Sequence, residues 1–364
     1  MNKQLYKFEP DWLHLMPPGE FILEDMENLG LSQRDLANRT EYSTKHIHKL
    51  LKGEAPINAD TALRLEKVLG VAASFWMNLE NIYREALAKE EEKISLAKKK
   101  EWLKKIPLKN MLTFGWVDKY SNKGEQIAAC LKFYGCASID AWNNQRENNV
   151  AFKSTDRFTQ DEIAVRTWLR RGENEAAKIA CEPFDKKILQ ASLNSLRALT
   201  LIEELDDFLP KLKDLCAKCG IAVVFSPTPD KCPISGATRW LSSKKALLLL
   251  SLRYKTNDHL WFAFFHEIAH ILKHKKQLFL EDTQNKFVQD KALEDEANKF
   301  SKELLIPAKH KERLETLKTK KSIQDFSDEI GIASGIVIGR MQYEKIIQFS
   351  SFNDLKVKYQ WAEK

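Results

Sequence analysis

Apolar positions recur with a helical period along most of the chain and close up into short continuous runs in one stretch only. Residues 19–88 predict five short helices with clear punctuation. The first runs from about Gly19 to Asn28 and stops at Gly30. Ser32 is placed to N-cap the second, with Asp35 three residues on. Ser43 or Thr44 caps the third, which ends near Gly53, and Asn58 caps the fourth, which stops at Gly70. Ser74 is expected to cap a fifth that carries Trp76, Leu79 and Tyr83. Residues 89–105 are rich in Lys and Glu and read as a solvated helix leading away from this group.

Residues 106–215 read as mainly helical with irregular joints, with Trp102, Trp116, Trp142 and Trp168 as core anchors. The run from Thr167 to Glu173 offers no chemistry of its own. After Gly220 the pattern changes: Ile221–Phe225, Ala237–Leu241 and Ala246–Leu252 are short, apolar and bounded by turns, like three strands. A helix then starts at Thr256, Asn257 and Asp258 and runs to about His274. Another covers about Lys291–Leu305 and stops before Pro307. The last 50 or so residues hold one or two helices with Gly331–Gly339 between them. The predicted class is α+β, mainly α. It comprises an N-terminal five-helix domain (1–90), a helical middle region (91–215) and a C-terminal domain (216–364) with a small three-stranded sheet.

A length of 364 residues suits two or three domains. With 43% hydrophobic and 30% charged residues, wholesale disorder is excluded. No apolar run, Ala246–Leu250 and Trp261–Phe265 included, comes near the roughly 20 residues of a membrane span. Met1–Trp12 contains Glu9 and Asp11 and no apolar core, so no leader is expected, and with six cysteines a reducing cytoplasm is the expected compartment. Cys216 and Cys219 form a lone C-x-x-C without the second pair a structural zinc site needs, and read as two helical thiols. The other four cysteines make no pattern. The net charge is +7, yet residues 1–100 carry 15 Lys/Arg against 16 Asp/Glu, so the surplus lies beyond them.

His266-Glu267-Ile268-Ala269-His270 is H-E-x-x-H. On a helix, positions i and i+4 lie one above the other, so both imidazoles point at one metal ion, and Glu267 is placed as a general base. A zinc ion held there supplies Lewis-acid polarisation and an activated water for peptide-bond hydrolysis. Catalytic zinc needs a third protein ligand. Glu294 shares a helix face with Ala297, Asn298 and Ser301 and is the first choice; Glu296 is the alternative. His274 lies another turn along the same stripe, too far to reach the same ion. Tyr254 and His259 are near in sequence but carry no assigned role.

Leu31–Thr40 followed by Ser43–Leu51 reads as helix-turn-helix, packed through Leu36, Ala37, Ile47, Leu50 and Leu51. The second helix presents Ser43, Thr44, Lys45, His46, His48 and Lys49. No acid occurs between Tyr42 and Gly53, which suits the major groove and its phosphates. Gln33, at the start of the preceding helix, is placed to reach a phosphate. The near-neutral charge of the region predicts modest affinity for double-stranded DNA from one copy, and so a homodimer on an operator.

Pro18-Gly19-Glu20 and Leu31–Gly70 resemble the Cro/CI-type (XRE) helix-turn-helix of HigA-type antitoxins, and Trp76–Glu80 fits the aromatic segment that follows there. A second resemblance is to the ImmA/IrrE family of zinc metallopeptidase-like proteins. It is carried by Ser235–Thr238, Ser251–Arg253, Trp261-Phe262 with His266–His270, and Glu294 to Pro307. The middle region resembles helical segments found between such modules in fused proteins. The second resemblance implies a zincin-like core, with His266, His270 and Glu294 as ligands and Glu267 as catalytic acid/base. It favours Glu294 over Glu296, because Glu294 lies three residues before the family's small Ala position. Together the resemblances imply a DNA-binding, antitoxin-like regulator whose peptidase domain cleaves a repressor, a toxin-system partner or the chain itself. The alternatives are a non-catalytic antitoxin or autorepressor whose C-terminal domain binds a partner or ligand, and the peptidase toxin of a two-gene system.

Overall fold

The structure, a computed structural model, describes residues 16–144, 160–282 and 290–361. Met1–Trp12, read above for a leader, lies outside them. The chain forms two compact units: Met1–Lys100 with Ser121–Ala128, and Glu101–Tyr120 with Ala129–Lys364. None of the described helices is long and apolar enough to cross a membrane.

The first unit holds α1 (Pro18–Asn28), α2 (Gln33–Thr40), α3 (Thr44–Leu51), α4 (Ala59–Leu69) and α5 (Ala73–Ala97). Its caps follow the sequence closely. Ser32 and Asp35 close a reciprocal capping box, and Ser43 and Asn58 accept from the backbone N–H of His46 and Thr61. Gly70 ends α4 in the left-handed region. The fifth helix differs from expectation. Its N-cap is Ala72, and Ser74 falls inside the first turn. The free N–H of Ala73 donates instead to the Glu66 carboxylate of α4, so a side chain of the preceding helix does the capping. The Lys- and Glu-rich stretch continues α5 as far as Ala97 and then enters a short 3-10 helix, Lys100–Lys104. Ile22, Leu36, Ile47, Leu50, Leu65 and Trp76 form the centre of this unit's core.

Next along the chain come α6 (Leu108–Thr113), α7 (Lys123–Tyr134), α8 (Ile139–Asn144), α9 (Gln160–Lys178), α10 (Lys186–Ala198) and α11 (Leu205–Lys218). Trp102, Trp116, Trp142 and Trp168 are all buried, as expected. The strands are β1 (Ile221–Phe225), β2 (Ile234–Ser242), β3 (Lys245–Leu250) and β4 (Phe279–Asp282), in the order β1-β3-β2-β4. β1 pairs parallel to β3; β2 pairs antiparallel to β3 and to β4. The edge strand β4 is an addition to the three expected. Its four residues are too few to set a period against the polar stretch before them.

Both faces of β3 are buried, which explains its unbroken apolar run. Ala246, Leu248 and Leu250 join the main core with α12 (Asn257–Lys273), while Leu247 and Leu249 face α9. Gly172 makes that approach feasible: a Cβ there would stand 2.6 Å from a Leu249 methyl. The Thr167–Glu173 run, blank in the sequence, is thus a packing device. Trp168 Nε1 donates to the Ser226 carbonyl at 3.0 Å, and Glu173 pairs with Arg239 at 2.5 Å.

The rest of the core is built by α13 (Lys291–Leu305), α14 (Lys311–Leu314), α15 (Lys320–Ile330) and α16 (Ser334–Tyr343). Gly331–Gly339 is not a connection as expected. Gly331 ends α15 in the left-handed region, whereas Gly335 and Gly339 lie within α16. They form a flat strip against Asn257 and Asp258, where any Cβ would collide. One side chain staples two helix ends. Arg197 of α10 donates to the carbonyls of Leu304 and Leu305 at 2.9 Å each, of Ile330 at 2.8 Å and of Gly331 at 3.1 Å. An Arg197→Met protein is expected to lose about 2–3 kcal/mol of stability, because these carbonyls keep no charged donor. Urea unfolding of the two proteins checks this; an unchanged midpoint would refute it.

Candidate metal centre and nucleic-acid interface

α12 is buried along nearly its whole length, which fixes its register. His266 and His270 fall on the face turned to α13, which runs antiparallel to it: Ser301 Oγ donates to the Phe262 carbonyl at 3.0 Å, and Lys273 reaches Glu296 at 2.9 Å. Ala297 and Ser301, both fully buried, let the helices approach closely. The Glu294 carboxylate lies 3.0 Å from His266 Nε2 and 3.5 Å from His270 Nε2, and the two Nε2 atoms are 2.9 Å apart. One ligand atom from each of His266, His270 and Glu294 lies within 4.8 Å of the others. Glu296 instead pairs with Lys273 and His274 near the surface.

The surroundings orient these donors. His266 Nδ1 lies 3.1 Å from Asn298 Oδ1, so Nδ1 keeps its proton and Nε2 is the nitrogen that would face an ion once deprotonated. His270 Nδ1 lies 2.8 Å from His274 Nδ1, and its ring stacks on Phe279 of β4 at 4.0 Å. Two imidazole nitrogens and one carboxylate facing a common point are the donor set of a zinc site with one position left open. The donors therefore fit the metal.

Glu267, the next residue along α12, faces Gly236 and Thr238 of β2 and is fully buried. It accepts from Thr238 Oγ1 at 2.5 Å, while its Oε1 has no partner among the described residues. Gly236 makes room for it: a Cβ there would stand 2.7 Å from Oε1. Burial pushes its pKa well up, against the pull of His266, and Glu281 and Glu294 push further. Glu281 of β4 was not singled out in the sequence. Its carboxyl is also raised by burial, and its Oε2 is buried without a partner among the described residues. Nothing in a four-residue strand signals it. Asn298 had a weak signal, its spacing of four from Glu294.

Burial opposes protonation of His266, but its hydrogen bond to Glu294 and the nearby carboxylates outweigh this and raise it to about 9. Glu294 resists burial through both imidazoles and falls to about 2. His270 is lowered to about 4 by burial and by the neighbouring histidines. Without metal, the His266 contribution to stability is complete below histidine's ordinary 6.5 and is lost as pH rises through about 9. Zinc must displace that proton. Uptake at pH 7 is expected to release about one proton, with affinity rising about tenfold per pH unit up to about 9. Calorimetry in two buffers of different ionisation heat checks this; proton-free binding would contradict it.

In the first unit, Glu41 takes the left-handed conformation that turns α2 into the segment before α3. Gln33, Ser43, Thr44, Lys45, His48 and Lys49 are exposed. His46 is half-buried and packs on the Tyr42 ring at 4.4 Å, so it does not stand free with the others. Tyr42 in turn bonds Asp60 and Thr61, and Arg64 donates to the Thr40 carbonyl at 2.7 Å, which ties the end of α2 and the turn before α3 to α4. Lys45 and Lys49 make no ion pair among the described residues, so both charges are available to an anion.

A family model described as helix-turn-helix matches residues 22–76, and one described as IrrE N-terminal-like domain matches residues 216–330. Over 81 residues the chain is 30% identical to the uncharacterized HTH-type transcriptional regulator YddM of Escherichia coli K12, covering 22% of this chain and 84% of that protein. It is 33% identical over 76 residues to the virulence-associated protein I of Dichelobacter nodosus, covering 21% and 70%. Among solved structures, it is similar to a HigA-family addiction module antidote protein from Coxiella burnetii (33% identity, 23% of this chain and 92% of that one, TM-score 0.22). It is also similar to the Pseudomonas aeruginosa antitoxin HigA solved with the higBA promoter (29% identity, 21% and 86%, TM-score 0.21). The chain belongs, through its N-terminal region, to the XRE-type helix-turn-helix family of transcriptional regulators, and in its C-terminal region it carries an IrrE/ImmA-like domain.

Proposed function

We propose that this chain is a cytoplasmic, operator-binding regulator of antitoxin-like type whose C-terminal domain is a zinc-dependent peptidase acting on a repressor, a partner protein or the chain itself. The observation that carries the peptidase half is the convergence of His266, His270 and Glu294 beside the buried Glu267. These three side chains would hold the ion, which when bound supplies Lewis-acid polarisation of the scissile carbonyl and an activated water. Glu267 takes a proton on its unpartnered Oε1 and returns it to the leaving amine, while Thr238 holds its other oxygen in place. Asn298 keeps the His266 lone pair aimed at the ion.

The test of this half is zinc content together with incubation of the zinc-loaded protein with the products of neighbouring genes. A protein that takes up no zinc sinks the catalytic reading. Zinc without cleavage of any neighbour, or of itself, favours the non-catalytic regulator.

Operator binding is assigned to α3, with Lys45 and Lys49 on phosphates, Ser43, Thr44 and His48 toward the groove, and Gln33 on the backbone; His46, packed on Tyr42, is left to the fold. Two copies bind two half-sites. Lys45→Ala with Lys49→Ala is expected to weaken binding to the upstream promoter and to reduce the salt slope by about 4, two lysines being lost from each of the two copies. Gel-shift titrations at several salt concentrations measure both. An unchanged slope counts against this docking.

A further inference from the structure

A cleft of about 400 Å³ runs on from the metal triad along α12 and α13, and its far end is chemically unlike its near end. Glu281 and Asn298 line it beside the triad, and Lys302 lies two helical turns beyond Glu294, about 12 Å along α13. Between them the walls are apolar, built by Leu260, Phe262, Leu305 and Ile336. Arg253, Lys255 and Lys302 also line it, and none makes an ion pair with a described residue: Arg253 donates only to the Cys232 carbonyl at 3.3 Å, and Lys302 Nζ stands 4.1 Å over the Tyr343 ring. Arg340, also in the lining, is already tied to Glu344, and Asp258 to Lys356. The lining also carries buried polar atoms without a hydrogen-bond partner among the described residues: Ser235 Oγ, Thr256 Oγ1 and Asp258 Oδ1, besides Glu281 Oε2. Such orphans cost free energy unless something that enters the cleft pairs with them. Hydroxyls beside an apolar wall suit the amides of an extended peptide.

We propose that this cleft holds an acidic peptide segment, with apolar side chains next to the cleaved bond and an Asp or Glu three or four residues away against Arg253 and Lys302. The spacing follows from about 12 Å at about 3.3 Å per extended residue. The inference rests on the peptidase reading and names its substrate class.

The probe is a set of fluorescein-labelled Ala/Leu peptides ending in Asp-Glu, Ala-Ala or Lys-Lys, each made in both chain directions. Binding to the zinc-loaded, full-length Glu267→Gln protein is read by fluorescence anisotropy. The acidic peptide in one direction should bind about tenfold tighter than its Ala-Ala counterpart. Arg253→Glu with Lys302→Glu should erase that preference, and Lys211→Glu with Lys213→Glu, exposed on α11 and outside the cleft lining, should leave it. If the charge reversal does not fold, Arg253→Gln with Lys302→Gln serves, with the same expected loss. Equal binding of all peptides, or a preference that survives the cleft variants, overturns the proposal. The two readings fail separately. Acidic preference with no cleavage of these peptides or of the neighbouring gene products by the wild type upholds the cleft and removes the peptidase. Cleavage without acidic preference does the reverse.

Discussion

Replacing Glu267 by Gln is expected to cut peptide hydrolysis by about 10²- to 10⁴-fold while zinc binding stays at the wild-type level. The amide fills the same volume, and volume matters here, because Gly236 lies directly against the Glu267 carboxyl. Thr238 Oγ1 can still donate to the remaining carbonyl oxygen. What the variant lacks is a place for the proton. His266, His270 and Glu294 are untouched, so metal analysis of the purified protein separates loss of the ion from loss of proton transfer. Initial rates on a cleaved neighbouring-gene product supply the other number. A rate within threefold of wild type would falsify the role given to Glu267.

Lys356→Met should destabilise the second unit by about 3–5 kcal/mol, since it leaves the Asp258 carboxylate buried without its cation. The pair is nearly inaccessible to water, with side-chain exposures of 8% and 7%. Lys356 also donates to Gln342 Oε1 at 2.7 Å. The residues after it continue the attachment: Asn257 N–H donates to the Val357 carbonyl at 3.0 Å and Tyr359 N–H to the Lys255 carbonyl at 2.7 Å. The C-terminal segment thus holds the first turn of the helix that carries both histidines. Hydrogen exchange of the α12 amides reports the loss directly. Adding Asp258→Asn should return part of it, because the orphaned charge goes too; a double variant as unstable as the single one would exclude this explanation.

That His266 and His270 share a face of α12 was legible in the sequence because helical spacing decides it; spacing left Glu294 and Glu296 both open on α13, and the family resemblance favoured Glu294. The helix-turn-helix was legible for a similar reason: Ser32, Ser43, Asn58 and Gly70 punctuate it with residues whose capping geometry is local. The misreadings have a common physical origin in contacts between separate elements. Ser74 looked like a cap, but Glu66 reaches the end of α5 first. Gly335 and Gly339 looked like a break, yet a helix accepts glycine where a neighbour must come close. β4 is stabilised by its pairing with β2 and by Phe279 stacking on His270, neither of which four residues can announce. Glu281 was hidden with it. Arg197 gave no signal, since its partners lie more than a hundred residues along the chain.

Arg197 and Gly172 bear on where the gene can be cut. A fragment beginning near Cys216 would retain every metal ligand and all four strands. It would lack the guanidinium that joins the ends of α13 and α15 and the helix that covers Leu247 and Leu249 of β3. Such a fragment should bind zinc weakly and aggregate through the bare face of its sheet. Expression of the metal-binding unit should start ahead of α9, at about residue 160, so that the protein supplies its own lid.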